Sequence, residues 1–392
     1  MQIIRVRDGE SIFDIAGAVG LAPQYLMGIA GCTQKFPTAE RELGVFTPSR
    51  SYSVRSGDTA QSICRRFGIG KRELLSLNPE IGGSGRLYGG QYIVLGSAAP
   101  RVGVGVINGY AYRGLDRGRL TAALPYLDLL TVAAARAEGK KIRHSDSLGV
   151  VSAARAAGVY PMLRVYLDGV GRDDHGELAI AIATAALAGG YVGAVLAGLS
   201  AAPDPVGLTV EVRRRMIEAG LTLGVECELC GECRYAEYAD HTVLRLDRPE
   251  ESGKSFEEYE YREINECAER MDVSGGMLEL PALARSRGGI LSRADALAEA
   301  DMRGSAIAHC DEARMMTVTR GRRRLTLESM TSVQGRIIAA AECGYLGVAV
   351  DLLRVPFAEL FMARLMLSRA VNPTFSNTVL NCEGEKRMQN EE

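Results

Sequence analysis

The sequence predicts an α/β protein: a (β/α)8 barrel of the TIM type, preceded by two small βααβ modules. Three observations carry this. Two N-terminal stretches match each other at a fixed offset of 48 residues. After Pro100, short apolar strands alternate with helical stretches, and eight such strands fall within about 275 residues. The chain has 392 residues, 47% apolar and 24% charged, enough for two or three units with a real core.

The repeat comes first. "VRDGESIFDIAGAVGLAPQYL" aligns with "VRSGDTAQSICRRFGIGKREL": Val6 with Val54, Gly9 with Gly57, Glu10 with Asp58, Ser11 with Thr59, Ile15 with Ile63, Gly20 with Gly68 and Leu26 with Leu74. Each copy opens with a short strand and a Gly turn. An acidic residue and a hydroxyl follow, as a helix N-terminus requires. A second helix follows, ending near "LNPE" in the second copy, whose last strand is "QYIVL". In the first copy the last strand is expected at "LGVFTP".

These residues resemble LysM modules, which bind N-acetylglucosamine polymers such as peptidoglycan and chitin. The second copy is the fuller match, with Tyr52, Val54, "SGDT" at 56–59, "FGI" at 67–69, "NP" at 78–79 and "GGQYIVL" ending at Leu95. The resemblance implies sugar between the loop after the first strand and the loop before the last. That places Gly57, Asp58, Thr59 and Ala60 on one side, with Asn78, Pro79, Glu80 and Ile81 on the other. Asp58 and Thr59 also fit a plain helix cap. The first copy has Ala30-Gly31-Cys32 where the second has Leu77-Asn78-Pro79, so it is expected to fold as a module without binding alone.

The barrel strands are read at 102–110, 127–135, 159–167, 191–199, 221–229, 241–247, 275–283 and 345–353. The long seventh connection holds "MMTVT" and "RRLTL" around an Arg-Gly turn, which reads as a basic β-hairpin, and the helix "SVQGRIIAAAECG". The expected units are residues 1–49 and 50–97 for the modules, 101–375 for the barrel and 376–392 for a polar tail.

The order of landmarks resembles family 18 glycoside hydrolases, in particular the LysM-bearing spore cortex-lytic group. The landmarks are "NGYAY" at 108–112, "EGKKIRHSD", "GGYVG" at the fourth strand, "LTLES" and "GYLGVAVD". That family carries D-x-x-D-x-D-x-E on the fourth strand. Its Glu protonates the leaving oxygen, and the Asp two residues earlier steadies the substrate's own acetamido group. Aligning "GYxG" places Ala197 at that Asp and Leu199 at the Glu. The family's Trp at the eighth strand is also missing, since the chain has none; Asp351 lies nearest. The resemblance therefore implies a barrel without its acid. If the chemistry has moved, Glu228, Glu279 and Asp351 are the candidates.

Other residues are weighed against plainer readings. Arg164, Asp168, Glu226, Glu228, Arg245, Asp247, Glu279 and Asp351 sit on strands and are expected either to pair or to line a polar pocket. Cys227, Cys230 and Cys233 follow at C-x2-C-x2-C spacing just past the fifth strand. Three thiolates can hold a metal, but no fourth Cys is near, so free thiols or cross-linking cysteines are expected and no metal or cofactor is assigned. Nine cysteines, mostly isolated in apolar segments, fit a reducing compartment. The net charge of −2 gives no nucleic-acid footprint. Leu178 to Ala202 carries no charge, yet Gly189-Gly190 interrupts it, so a buried helix running into a buried strand is expected rather than a membrane span. "MQIIRVRDGE" lacks the apolar core of a secretion signal. Cytoplasmic synthesis with a spore cortex or coat association is expected, with spore-coat proteins as possible partners. The functional expectation is a glycan-binding protein with an inactive hydrolase-like barrel; the alternative is an active N-acetylglucosaminidase-type hydrolase.

Overall fold

The computed structural model describes residues 1–32, 34–81, 86–145, 147–229, 233–246, 255–286 and 289–369. Cys230, Asp247 and the 376–392 tail lie outside these.

The two N-terminal units share one local logic. The first runs strand Gln2–Arg5, helices Ile12–Val19 and Pro23–Ala30, strand Glu42–Val45. The second runs strand Pro48–Ser53, helices Ala60–Phe67 and Lys71–Leu77, strand Tyr92–Ser97. In each unit the outer strands pair antiparallel. The repeat residues explain the match. Ser11 and Thr59 cap the first helix with capping boxes, and Gly20 and Gly68 end it in the left-handed region, at φ 74° and 65°. The last strand of the first unit starts one residue before the predicted stretch and ends before Pro48.

Eight parallel strands form the barrel: Val106–Ala111, Leu129–Glu138, Tyr160–Asp168, Gly193–Ala197, Thr222–Glu228, His241–Arg245, Gly276–Glu279 and Gly347–Asp351. The first pairs with both the second and the eighth, which closes the sheet on itself. Val106, Tyr110, Leu129, Val243, Met277 and Ala349 make an interior cluster separate from the shell between strands and helices. The fourth strand is shorter than its apolar run. Gly198 turns at φ 80° and Leu199–Ala201 coil into a 3-10 turn. The run at 275–283 likewise splits, with Gly276–Glu279 in the barrel and Leu283 starting another strand after Pro281.

The seventh connection is larger than the predicted hairpin and helix. The hairpin is there, Met315–Arg320 against Arg323–Glu328, turning at Gly321 with φ 59°. Leu283–Ser286, Gly289–Ser292 and Ser305–Cys310 extend it to a five-stranded antiparallel sheet. Helix Arg293–Ala300 covers one face over Ala284, Val318, Leu325 and Leu327. These added strands are short and largely half-buried or exposed, which hides them in an apolarity reading.

The first module is clamped to this region. Buried Glu42 accepts from the Met330 backbone N–H at 2.6 Å, and Arg41 meets Asp301 at 3.1 Å. Phe46 packs on Phe361 at 5.9 Å between ring centroids. From the second module, Arg72 donates to the carbonyls of Gly158 and Leu127. The charge-free stretch from Leu178 resolves into helix His175–Ala188 and the fourth strand. No single helix among the described residues is long and apolar enough to cross a membrane.

Candidate functional site

Two places carry the sequence candidates: the turn-and-loop pair of the second module and the mouth of the barrel.

In the second module Gly57 turns at φ 85°, a conformation that favours glycine. Asp58 then folds back on its own strand. Its Oδ2 accepts from the Tyr52 hydroxyl at 2.6 Å and the Arg55 N–H at 2.8 Å, and Arg66 approaches Oδ1 at 3.2 Å. The Tyr52 hydrogen bond, then that from Arg55, holds the Asp58 carboxyl below its ordinary range. Thr59 Oγ1 accepts from the Ser62 N–H at 3.0 Å, while Ala60 is buried. Across the module Asn78 is fully buried. Its amide donates to the Leu74 and Val94 carbonyls at 2.8 and 2.7 Å, and its Oδ1 accepts from the Val94 N–H at 2.7 Å. Asn78 therefore ties the second helix to the last strand. Pro79–Ile81 form a 3-10 turn with Ile81 buried and Glu80 exposed. Tyr25 of the first module donates its hydroxyl to the Leu77 carbonyl just before this turn.

At the barrel mouth the strand charges pair. Arg164 meets both oxygens of Glu226, at 2.6 and 2.8 Å. Arg245 meets Glu279 at 2.7 Å and reaches Glu226 at 4.0 Å. Asp168 pairs with Arg136. Asp351 is 1% exposed and caps the following turn, accepting from the backbone N–H groups of Leu353 and Arg354 at 2.9 and 3.1 Å. Burial raises the carboxyl pKa values of Glu279 and Asp351, against the pull of Arg245 on the first and of the Leu353 and Arg354 contacts on the second. Glu228 ends its strand exposed. Glu228 and Glu279 both line a cavity of about 210 Å³, together with Arg245, Arg285, Arg336 and Arg354. Asp351 is not among the lining residues. Ala197 closes the fourth strand and Leu199 opens the 3-10 turn, both fully buried.

Several mouth residues escape a strand-by-strand reading because they come from elsewhere in the chain. Arg336, on helix Met330–Glu342, is buried and bonds Glu260 and Glu328 at 3.1 Å each. Tyr112 lies under the guanidinium groups of Arg164 and Arg354, 5.6 Å from each, and burial raises its phenol to about 12. "NGYAY" does contain Tyr112, but its partners are long-range.

Cys227 lies within the fifth strand and is buried, rather than past it as the spacing suggested. The neighbouring Cys227 thiol lowers the Cys233 thiol to about 7. Among the described residues no group of three or more His, Cys, Asp or Glu is placed to hold a metal ion.

Comparison with known proteins gives a family match for the second module and a likeness of fold for the chain as a whole. Residues 52–96 match the LysM domain family. Over nearly the whole length, the chain is similar to the spore cortex-lytic enzyme SleL of Bacillus megaterium QM B1551. That match has a TM-score of 0.68 and 14% identity, covering 94% of this chain and 98% of that one. SleL of Bacillus cereus matches at TM-score 0.65 and 16% identity, over 94% and 99%. The chitinase of Chromobacterium violaceum matches at TM-score 0.57 and 14% identity, over 67% of this chain and 99% of that one. At these identities the likeness to the solved structures is one of fold, a (β/α)8 barrel preceded by small modules. No curated protein sequence matches the chain.

Proposed function

We propose that this protein binds N-acetylglucosamine-containing glycan through its second LysM module and does not hydrolyse it. The observation that carries the first half is the match of residues 52–96 to the LysM domain family, with the Gly57-Asp58-Thr59 turn in place. The groove runs between Gly57, Asp58, Thr59 and Ala60 on one side and Asn78, Pro79, Glu80 and Ile81 on the other. Ala60, Asn78 and Ile81 are buried and shape the groove from behind, so the groups left to meet an acetamido sugar are those of Gly57, Asp58 and Thr59 on one side and Pro79 and Glu80 on the other.

Ala197 and Leu199 support the second half, since neither can donate a proton or steady an acetamide. In this reading the barrel is a pseudoenzyme and a second wall for the polymer. Association with a spore cortex or coat, and with coat proteins, belongs to the same proposal, because the fold is that of two spore cortex-lytic enzymes. The test is co-sedimentation of the full chain with insoluble peptidoglycan and chitin. Pelleting with either supports the reading; a chain that stays in the supernatant with both overturns it.

One observation favours a second reading, an active glycosidase with relocated acid. Glu279 and Asp351 are carboxyls at the mouth with raised pKa values, the property a general acid needs. Release of reducing ends by the purified chain decides between the two.

A further inference from the structure

We infer that the open face of the inserted sheet is an arginine-lined binding wall for the carboxylates of an acidic glycan, which selects peptidoglycan over neutral chitin. The inference rests on the glycan-binding reading and deepens it.

The sheet has two unlike faces. Helix Arg293–Ala300 covers the one formed by Ala284, Val318, Leu325 and Leu327. Strand alternation puts the neighbours of these residues on the other face. There the register aligns Arg285 with Thr326 and Ile290, and Arg324 with Thr319. Arg285 and Thr326 also line the cavity at the barrel mouth, so this face continues the mouth outward. Beyond them a groove of about 560 Å³ is bounded by Ile290, Arg322, Arg323 and Arg324, and no acidic residue lines it.

The guanidinium groups there are not all engaged. Arg323 pairs with Glu299 at 3.1 Å. Arg322 and Arg324 make no hydrogen bond or ion pair among the described residues. On a chain of net charge −2, this is a local concentration of unpaired positive charge, at positions 322 and 324 of one hairpin. Ile290 is 59% exposed beside them and offers an apolar surface for a sugar ring. A planar guanidinium suits bidentate contact with a carboxylate. Peptidoglycan bears free carboxylates on its stem peptides, whereas chitin bears none. Acidic groups along a polymer would meet Arg322 and Arg324 on the way towards the mouth.

The test compares the full chain with its Arg322→Gln/Arg324→Gln double variant on insoluble peptidoglycan and on chitin across a salt series. A soluble muropeptide is titrated in parallel by calorimetry. Both side chains are exposed, so the fold is expected to survive. The expected result is about a tenfold loss of peptidoglycan and muropeptide affinity at low salt, a flatter salt dependence and unchanged chitin binding. The Arg322→Lys/Arg324→Lys variant should keep most of the salt-dependent part. Equal behaviour of wild type and double variant with muropeptide overturns the inference, as does an equal loss on chitin. Tighter binding of duplex DNA than of muropeptide would assign the wall to nucleic acid and also overturn it. If the wild type pellets with neither polymer, the LysM reading fails, and the muropeptide titration alone decides the arginine wall.

Discussion

Arg164 and Glu226 are joined by two parallel hydrogen bonds, Nε to Oε1 at 2.6 Å and Nη2 to Oε2 at 2.8 Å. They belong to the third and fifth barrel strands, and the fourth strand runs between them. The register sets Arg164 level with Val195, and Glu226 one step beyond the pairing of Leu196 with Val225, level with Ala197. The ion pair thus spans the fourth strand at the level of Val195 and Ala197. Ala197 at that level is fully buried.

This pair is buried, with side chains 11% and 6% exposed. Removing one partner strands the other charge. Arg164→Leu is expected to lower unfolding stability by about 3 kcal/mol, since Arg245 at 4.0 Å only partly compensates Glu226. The double variant Arg164→Leu/Glu226→Leu should recover most of that loss. Urea denaturation midpoints measure both. A single variant as stable as wild type would show the pair to be solvated rather than buried.

Asn78 should behave as a structural residue of the second module. Asn78→Ala removes three hydrogen bonds to buried backbone groups and is expected to cost about 3 kcal/mol. Thr59→Ala loses only a helix cap, about 1 kcal/mol. Glycan binding should fall with the loss of folded module in the first variant and persist in the second. Circular dichroism alongside the sedimentation assay separates these. Loss of binding by a fully folded Asn78→Ala would instead make its side chain a direct ligand.

His241 gives the fold an acid-sensitive step. It is 1% exposed on the sixth strand, and burial lowers its imidazole from 6.5 to about 4. The unfolded chain takes up this proton below about 6.5, whereas the folded chain resists until about 4. Its contribution is therefore complete above the upper value and is lost as pH falls toward the lower one, by about 3 kcal/mol. Thermal melts of wild type and His241→Asn across that window isolate the effect. Parallel curves for the two proteins would assign the slope to other groups.

The barrel was legible because its strands are buried on both faces and read as apolar runs, and because helices separate them. The modules were legible because capping residues recur: Ser11 with Thr59, Gly20 with Gly68. The inserted sheet was not. Gly289–Ser292 and Ser305–Cys310 are short, half-exposed strands whose partners lie far along the chain. At the mouth, period two placed Arg164, Glu226, Arg245 and Glu279 on inward positions, but pairing is a tertiary fact. Arg336 was hidden altogether, because a charged residue on a helix ordinarily reads as solvent-facing. Its burial against Glu260 and Glu328 appears only once the seventh connection folds back.

The last expectation concerns catalysis. Hydrolysis with help from the substrate's acetamide needs a proton donor at the glycosidic oxygen and an anion beside the acetamide. General acid catalysis alone contributes about 10²- to 10⁴-fold. Leu199 and Ala197 supply neither group, so the purified chain should release reducing ends from chitooligosaccharides and cortex fragments at background rate, even where it binds them. Turnover on the order of 1 per second or faster would sink the pseudoenzyme reading. Glu279→Gln and Asp351→Asn would then show which mouth carboxyl had taken over. Installing the carboxylates of family 18 hydrolases as Ala197→Asp/Leu199→Glu meets two obstacles. Both positions are fully buried, so the new carboxylates must be desolvated. The new Asp would also stand level with Glu226 and compete with it for Arg164. The double variant is therefore expected to lose stability and stay inactive. The further change Glu226→Gln removes the repulsion and frees Arg164, and should restore much of the lost stability. Activity gained only in that triple variant would show that the Arg164–Glu226 pair and an acid on the fourth strand exclude each other.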